Sequence, residues 1–337
     1  MRVRPATGLL LLSPLVLSAA CGGGSAQEGG TPALTKEQAA GVLQRYVQIK
    51  NQVNARAARA LDADLLATAE TGPQYQMDVA SYKLLRASRE TFRPLDYGRP
   101  TFYIPRVKGY PRWFAADATS HVVVRRGGQE KRLRPVRHAM LFTQSGPKAP
   151  WLLAADPLPA GESVFPKVEL DEQGYATAVP PADDKELVVS PAELRVAHAT
   201  LLTQGPGAPG DQDAVLAKGP ATDQAHTALR KATDQFRRLG ITLTSRFAPH
   251  DTPVYALRTK GGGAMVWYVL QQNESYAADR PGRLSVVGDV KGLVPPRAVR
   301  TRLDTTVLIQ YLATVPAGKG KANVTGTYRK AVEARAS

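Results

Sequence analysis

Six basic side chains crowd between positions 125 and 137: Arg125, Arg126, Lys131, Arg132, Arg134 and Arg137, opposed only by Glu130. Arg125-Arg126-Gly127-Gly128 reads as a hairpin turn, which gathers these charges at one end of a strand pair. Guanidinium forks match phosphate geometry, so the patch is the candidate contact for a phosphate-bearing lipid or polymer. A solvated basic hairpin is the plainer reading of the same residues. The histidines offer less. His121, His138, His198, His226 and His250 are scattered, and His250-Asp251 are neighbours in a turn, a spacing that rarely chelates. His138 alternates with Val136, Met140 and Phe142, which turns it toward the interior of its sheet, where a satisfied core histidine is expected. Asp62 and Asp64 point different ways on a helix, and Asp183, Asp184 and Glu186 form a solvated cluster. The aromatics Tyr97, Phe102, Tyr103, Tyr110, Trp113 and Phe114 read as core and edge packing rather than a sugar platform.

Motif spacings add no chemistry. Gly205-Pro206-Gly207-Ala208-Pro209-Gly210 has the spacing of a dinucleotide fingerprint, but it follows a helix instead of a strand. Its two prolines also remove backbone donors from any phosphate cradle. Gly318-Lys319-Gly320-Lys321 lacks the upstream Gly and the Ser/Thr of a phosphate loop and reads as a basic turn. Neither a G-x-S-x-G elbow nor an H-E-x-x-H zinc motif is present. The expectation is therefore no catalytic residue, no metal and no cofactor.

The N-terminus carries an address. A basic start, Met1-Arg2-Val3-Arg4-Pro5, precedes an apolar run from Leu9 to Leu17, and Ser18-Ala19-Ala20 leads into Cys21. That order is the plan of a secretory signal, and the run is shorter than the roughly 20 residues of a membrane span. Small residues followed by cysteine resemble the lipobox of bacterial lipoproteins, although Ser18 stands where that family usually has Leu. The resemblance implies acylation of Cys21 on sulfur and cleavage before it. Cys21 is the single cysteine of the chain, so the mature protein is expected to hold no disulfide. Loss of residues 1–20 removes Arg2 and Arg4, lowering the net charge from +15 to +13. Gly22 to Pro32 reads as a flexible tether.

What remains reads as an α+β chain of two tandem domains, each with helices packed on a curved antiparallel sheet. The expected division is a signal peptide at 1–20, a tether at 21–34 and a first domain at 35–160. A hairpin and linker at 161–187 and a second domain at 188–332 complete it. Thr35-Lys36-Glu37-Gln38 is a capping box opening a helix over 36–54, with further helix across 59–70 and 76–88. Strands follow at 101–107, 120–125, 136–143 and 151–155. Segments 168–170 and 175–179 are expected to pair around Asp171 to Gly174. Ser190-Pro191-Ala192-Glu193 starts the second set of helices, and 222–239 carries the apolar stripe Ala225, Leu229, Ala232, Phe236 and Leu239, closed by Gly240. Strands are predicted at 242–247, 254–257, 264–270 and 303–313, with an edge strand at 324–328. The element order resembles cystatin-like or nuclear-transport-factor-like domains, and the whole chain resembles secreted lipoproteins of actinobacteria.

These readings lead to a non-catalytic lipoprotein on the extracytoplasmic face of the cell membrane. Its partners are the membrane through the lipid anchor, and an anionic lipid, an envelope polymer or another envelope protein; nucleic acid is not expected. A solute-binding lipoprotein of a transporter is the alternative, and a cell-wall hydrolase a third.

Overall fold

The computed structural model describes residues 30–57, 60–90, 94–98, 100–120, 135–160, 165–182, 186–207 and 215–337, together with the backbone alone of 123–126 and 129–132. In chain order the first elements are β1 (Thr31–Pro32), α1 (Lys36–Ala57), α2 (Ala63–Ala67) and α3 (Gly72–Ala87). Seven strands come next: β2 (Thr101–Tyr103), β3 (Arg106–Val107), β4 (Arg112–Ser120), β5 (Val123–Arg126), β6 (Gln129–Arg132), β7 (Val136–Gln144) and β8 (Leu152–Ala155). The two-residue β9 (Leu158–Pro159) then leads toward α4 (Pro191–Gln204) and α5 (Asp223–Arg238). The chain ends with β10 (Ile241–Pro249), β11 (Tyr255–Arg258), β12 (Ala264–Ala278), β13 (Arg302–Val315) and β14 (Asn323–Ala336).

Helices therefore precede strands twice, and the named strands pair antiparallel, giving an α+β fold. Local signals account for the helix starts. The Gln38 carboxamide accepts from Thr35 N at 2.8 Å while Thr35 Oγ1 accepts from Gln38 N at 3.2 Å, satisfying donors at the start of α1. Ser190 and Glu193 form the same reciprocal box ahead of α4, with Pro191 at its first turn. Gly240, at φ +72°, closes α5 in the left-handed region that a glycine enters without strain.

Two sheets result. One runs β2-β4-β7-β8; the other runs β10-β12-β13-β14-β9, with β11 also on β12. Side chains alternate across each strand, so each sheet has two apolar faces. On β4, Phe114, Ala116 and Ala118 join the core with α1 to α3, while Trp113 and Ala115 face the other way. On β12, Val266, Tyr268 and Leu270 face the core with α4, while Met265 and Trp267 turn to meet Trp113 and Leu141. The order of layers is helices, sheet, sheet, helices. Trp267, 1 % exposed, fixes the central layer: its indole N–H donates to Ala139 O at 2.9 Å across the two sheets.

Several predicted elements shift. Helices expected at 59–70 and 76–88 are Ala63–Ala67 and Gly72–Ala87, and the 120–125 strand is preceded by a longer one, Arg112–Ser120, not anticipated in the sequence. The strands of the second sheet are longer than their hydrophobic runs, because polar residues on one face continue the pairing. β12 extends through Gln271, Gln272, Asn273 and Glu274 to Ala278, each paired with β13 or β10. The predicted edge strand is corrected: β14 spans fourteen residues and lies between β13 and β9. The 168–179 segment pairs at Leu170 with Ala176, as expected, but Val168 and Ala178 also bridge to Thr259 and Leu257 near β11, tying the connection to the second sheet.

Candidate functional site

Two features inside this frame bear on chemistry, a buried polar network and a cavity beneath α5. The network begins at His138 on β7. Its Nε2 lies 2.8 Å from Ser120 Oγ on β4, and its Nδ1 lies 2.7 Å from Asp156 Oδ2, just past β8. Asp156 N donates to Gln310 Oε1 at 2.6 Å, and Gln310 Nε2 donates to Gln74 Oε1 at 3.0 Å on α3. Beyond Gln74, Lys50 on α1 forms ion pairs with Glu70 at 2.7 Å and with Asp78 on α3. Backbone bonds Leu153 N to Ala69 O and Thr71 N to Leu153 O hold Glu70 against β8.

Burial and charge compete along this chain of groups. Burial alone would strip Lys50 of its proton, but Asp78 and Glu70 outweigh it and hold its pKa well above the usual value. Burial, joined by the neighbouring Asp78 charge, pushes Glu70 well above the ordinary carboxylate value. Asp78 is pushed up by burial too, yet the Lys50 charge and its hydrogen bonds carry it below the ordinary carboxylate value. His138 follows the same logic: burial lowers it, and the Asp156 charge and hydrogen bond more than restore it, leaving it raised.

Ser120, His138 and Asp156 have the spacing of a nucleophile, base and orienting acid. Ser120 is only 5 % exposed, and the Asp156 charge and hydrogen bond hold the His138 pKa above its ordinary value against the effect of burial. With one ring nitrogen against Asp156 and the other against Ser120, the group straps β4, β7 and the segment after β8 together. The predicted interior setting of His138 is correct; its partner Asp156, eighteen residues away, had no sequence signal. The other described histidines are also satisfied. His198 meets Tyr268 Oη and Ala221 O, both at 2.8 Å, and burial lowers its pKa to about 4. His226 Nδ1 lies 3.1 Å from Leu202 O, and His250 pairs with Thr252. His121 lies outside the described residues. No group of three or more metal-ligating side chains occurs among the described residues.

The cavity lies in the second half. α5 has one apolar face, yet none of its residues is buried. Ala225, Leu229, Ala232 and Phe236 remain half-exposed on the side turned to the sheet. A stripe of this kind normally seals onto its sheet. Here a cavity of about 370 Å³ intervenes, walled by Leu202, Leu229, Phe247, Ile309, Tyr311 and Val324. A second cavity of about 240 Å³ opens toward the end of α5, between Phe236, Leu284 and Val287. Arg329 borders both. Its guanidinium spans Asp289 at 3.4 Å, Glu274 at 3.3 Å and the Gln272 carbonyl at 3.5 Å, a loose set of contacts that leaves it 43 % exposed. The first cavity is mainly apolar, with Gln272 and Arg329 among its polar lining; the second carries Glu274, Arg283 and Asp289 as well.

The basic residues singled out in the sequence fall at the far end of the first sheet. β5 and β6 pair as the hairpin predicted, with Arg125 opposite Glu130 and Lys131 and Arg132 opposite Val124 and Val123. Arg134, like Cys21 and the tether residues 21–29, lies outside the described residues. Arg137 forks onto Asp117 at 2.7 and 2.6 Å and covers the Phe165 ring at 5.1 Å. Most of the aromatics pack in the cores: Phe102 and Phe114 on the helix side, Tyr103 stacked on Phe165, and Tyr97 edge-on to His138. Tyr110 and Trp113 border an open groove of about 590 Å³ between the halves, where Trp113 spends its ring against Tyr255 at 5.1 Å.

These features define the class as an α+β protein of two helix-covered antiparallel sheets, with a cavity open beneath one helix. The model of the family described as Domain of unknown function (DUF8094) matches residues 30–336, and the chain belongs to that family. It is 31 % identical to "Uncharacterized lipoprotein SCO6871" of Streptomyces coelicolor over 85 % of this chain and 78 % of the relative. A second Streptomyces coelicolor protein, "Uncharacterized lipoprotein SCO2278", is 30 % identical over 74 % of this chain and 70 % of its own length. An "Uncharacterized lipoprotein" of Streptomyces avermitilis is 27 % identical over 76 % of this chain and 71 % of its own. No solved structure matches the chain.

Proposed function

We propose that this chain is a lipoprotein exported through its N-terminal signal and held by acylated Cys21 on the extracytoplasmic face of the cell membrane. There it acts as a non-catalytic binding protein for a small apolar or amphipathic molecule. The anchor rests on the signal-like start, the lone cysteine and the lipoprotein relatives. The binding role rests on one observation: the apolar stripe of α5 stands over a cavity of about 370 Å³. That volume falls in the range of small-molecule pockets, about 300–1,000 Å³, which are mostly apolar with few polar groups. An apolar body fits between Leu229 and Ile309, with Arg329 and Gln272 as the polar end. The basic hairpin residues Arg125, Arg126, Lys131 and Arg132, with Arg134 and Arg137 beside them, form a separate contact for an anionic lipid or envelope polymer. Native mass spectrometry after incubation with envelope extract tests the binding role: a bound non-protein mass supports it, and a clean apo mass refutes it.

A further inference from the structure

The second sheet has a crowded end. There α5 finishes at Arg238, β10 begins at Ile241 opposite Ala278, β13 begins at Arg302 opposite Ala277, and β14 finishes at Ala336 opposite Leu303. Asp279 N donates to Gly240 O at 2.9 Å, fastening the end of α5 to the start of the 279–301 connection. Arginines gather here from three separate pieces of chain: Arg237 and Arg238, Arg280 and Arg283, and Arg300 and Arg302. Three of them are matched by acids, Arg237 by Asp234 at 3.1 Å, Arg283 by Asp279 at 3.8 Å and Arg302 by Asp304 at 2.8 Å. Arg238, Arg280 and Arg300 are exposed and form no ion pair with an acid among the described residues.

Two apolar side chains stand in the same place. Val287 is 63 % exposed and Leu239 is 54 % exposed, the two most exposed large hydrophobic residues among those described. Val287 also lines the mouth of the 240 Å³ cavity beside Arg283. Excess arginine around bare aliphatic tips is the pairing that an anionic lipid surface rewards: the charges meet headgroups, and the tips enter the boundary beneath them.

We propose that this end of the second sheet docks on the anionic surface of a lipid bilayer, with Leu239 and Val287 as its insertion points. The inference goes beyond the ligand reading, because it stands on the outer surface and not on the cavity. Docking also brings the cavity mouth against the lipid. Geometry restricts the pose. Nine residues from Cys21 to Gly30 reach at most about 30 Å. Gly30 and Tyr255 border one groove, Tyr255 pairs with Trp267, and the eleven residues from Trp267 to Ala278 span about 36 Å. The strands must therefore lie inclined to the surface for the anchor and this end to touch it together.

The test uses the full chain carrying Cys21→Ser, with one new cysteine at a time for an environment-sensitive dye: Leu239→Cys, Val287→Cys, or Val196→Cys as the control. Val196 is 51 % exposed on α4, a comparable surface position elsewhere. With phosphatidylglycerol vesicles, dyes at 239 and 287 shift to the blue while the dye at 196 does not, and high salt reverses the shift. Phosphatidylcholine vesicles give no shift. Each arginine near such a surface is worth about fivefold in partition, so Arg238→Gln with Arg280→Gln weakens binding roughly 25-fold. An equal response at position 196, no response at 239 and 287, or an unchanged partition in the double variant overturns the proposal.

Discussion

Replacing Lys50 by methionine tests whether the first helical layer is organised by charge. Lys50, Glu70 and Asp78 are 7 %, 2 % and 8 % exposed, so water cannot take over the role of the lost ammonium. Methionine keeps the length and apolar stem of the side chain, and the loss is electrostatic. Breaking a buried pair by removing one partner costs about 3–5 kcal/mol. Against a total stability of about 5–15 kcal/mol, that is a large fraction. The sign of the pH dependence follows from the directions of the shifts. Asp78 lies below its usual value of 3.8 when folded, so it contributes stability above that pH which is lost as the pH falls further. Without Lys50 that contribution disappears, and protonation of Asp78 then relieves the buried charge. The difference between Lys50→Met and the parent is therefore largest near neutrality and shrinks toward pH 4. Adding Asp78→Asn removes the orphaned charge and recovers most of the loss. Urea unfolding of the parent, the single variant and the double variant reads all three quantities. A single variant within about 1 kcal/mol of the parent at neutral pH, or a double variant no more stable than the single, refutes the reasoning.

Other outcomes follow from the same geometry. His198 is neutral when folded, with a pKa of about 4 against 6.5 when free, so it contributes stability above pH 6.5 that is lost as the pH falls toward 4. At 1.36 kcal/mol per unit, the contribution is about 3 kcal/mol, and His198→Phe flattens this acid limb in urea titrations between pH 7 and 4. If Ser120 is a structural tie, a fluorophosphonate probe leaves the folded protein unlabelled, and Ser120→Ala costs about 1 kcal/mol. Labelling that vanishes in Ser120→Ala would instead establish a serine hydrolase.

Periodicity carried much of the architecture. The reciprocal boxes at Thr35 and Ser190 open α1 and α4, and the alternation through Leu303, Thr305, Val307, Ile309 and Tyr311 marks β13, all five buried or nearly so. The strand at Arg112–Ser120 was hidden because Ala115, Ala116 and Ala118 carry almost no strand signal; their small size suits two cores pressed on either face of β4. The site was legible in half. The stripe on α5 was plain, but whether a stripe seals or stands off depends on what lies opposite, and Phe247, Ile309 and Val324 arrive from three distant strands. The network is hidden for the same reason: Ser120, His138, Asp156, Gln310 and Gln74 are joined across up to 236 positions, and no local pattern pairs them.

Native mass spectrometry of the parent beside Leu229→Trp asks whether a ligand binds between α5 and the second sheet. The indole fills the space between Leu229 and Ile309 from a half-exposed position, so the fold survives. After incubation with envelope extract, a bound non-protein mass is expected on the parent and none on Leu229→Trp. A bound mass of equal occupancy on both proteins, or none on the parent, would contradict it.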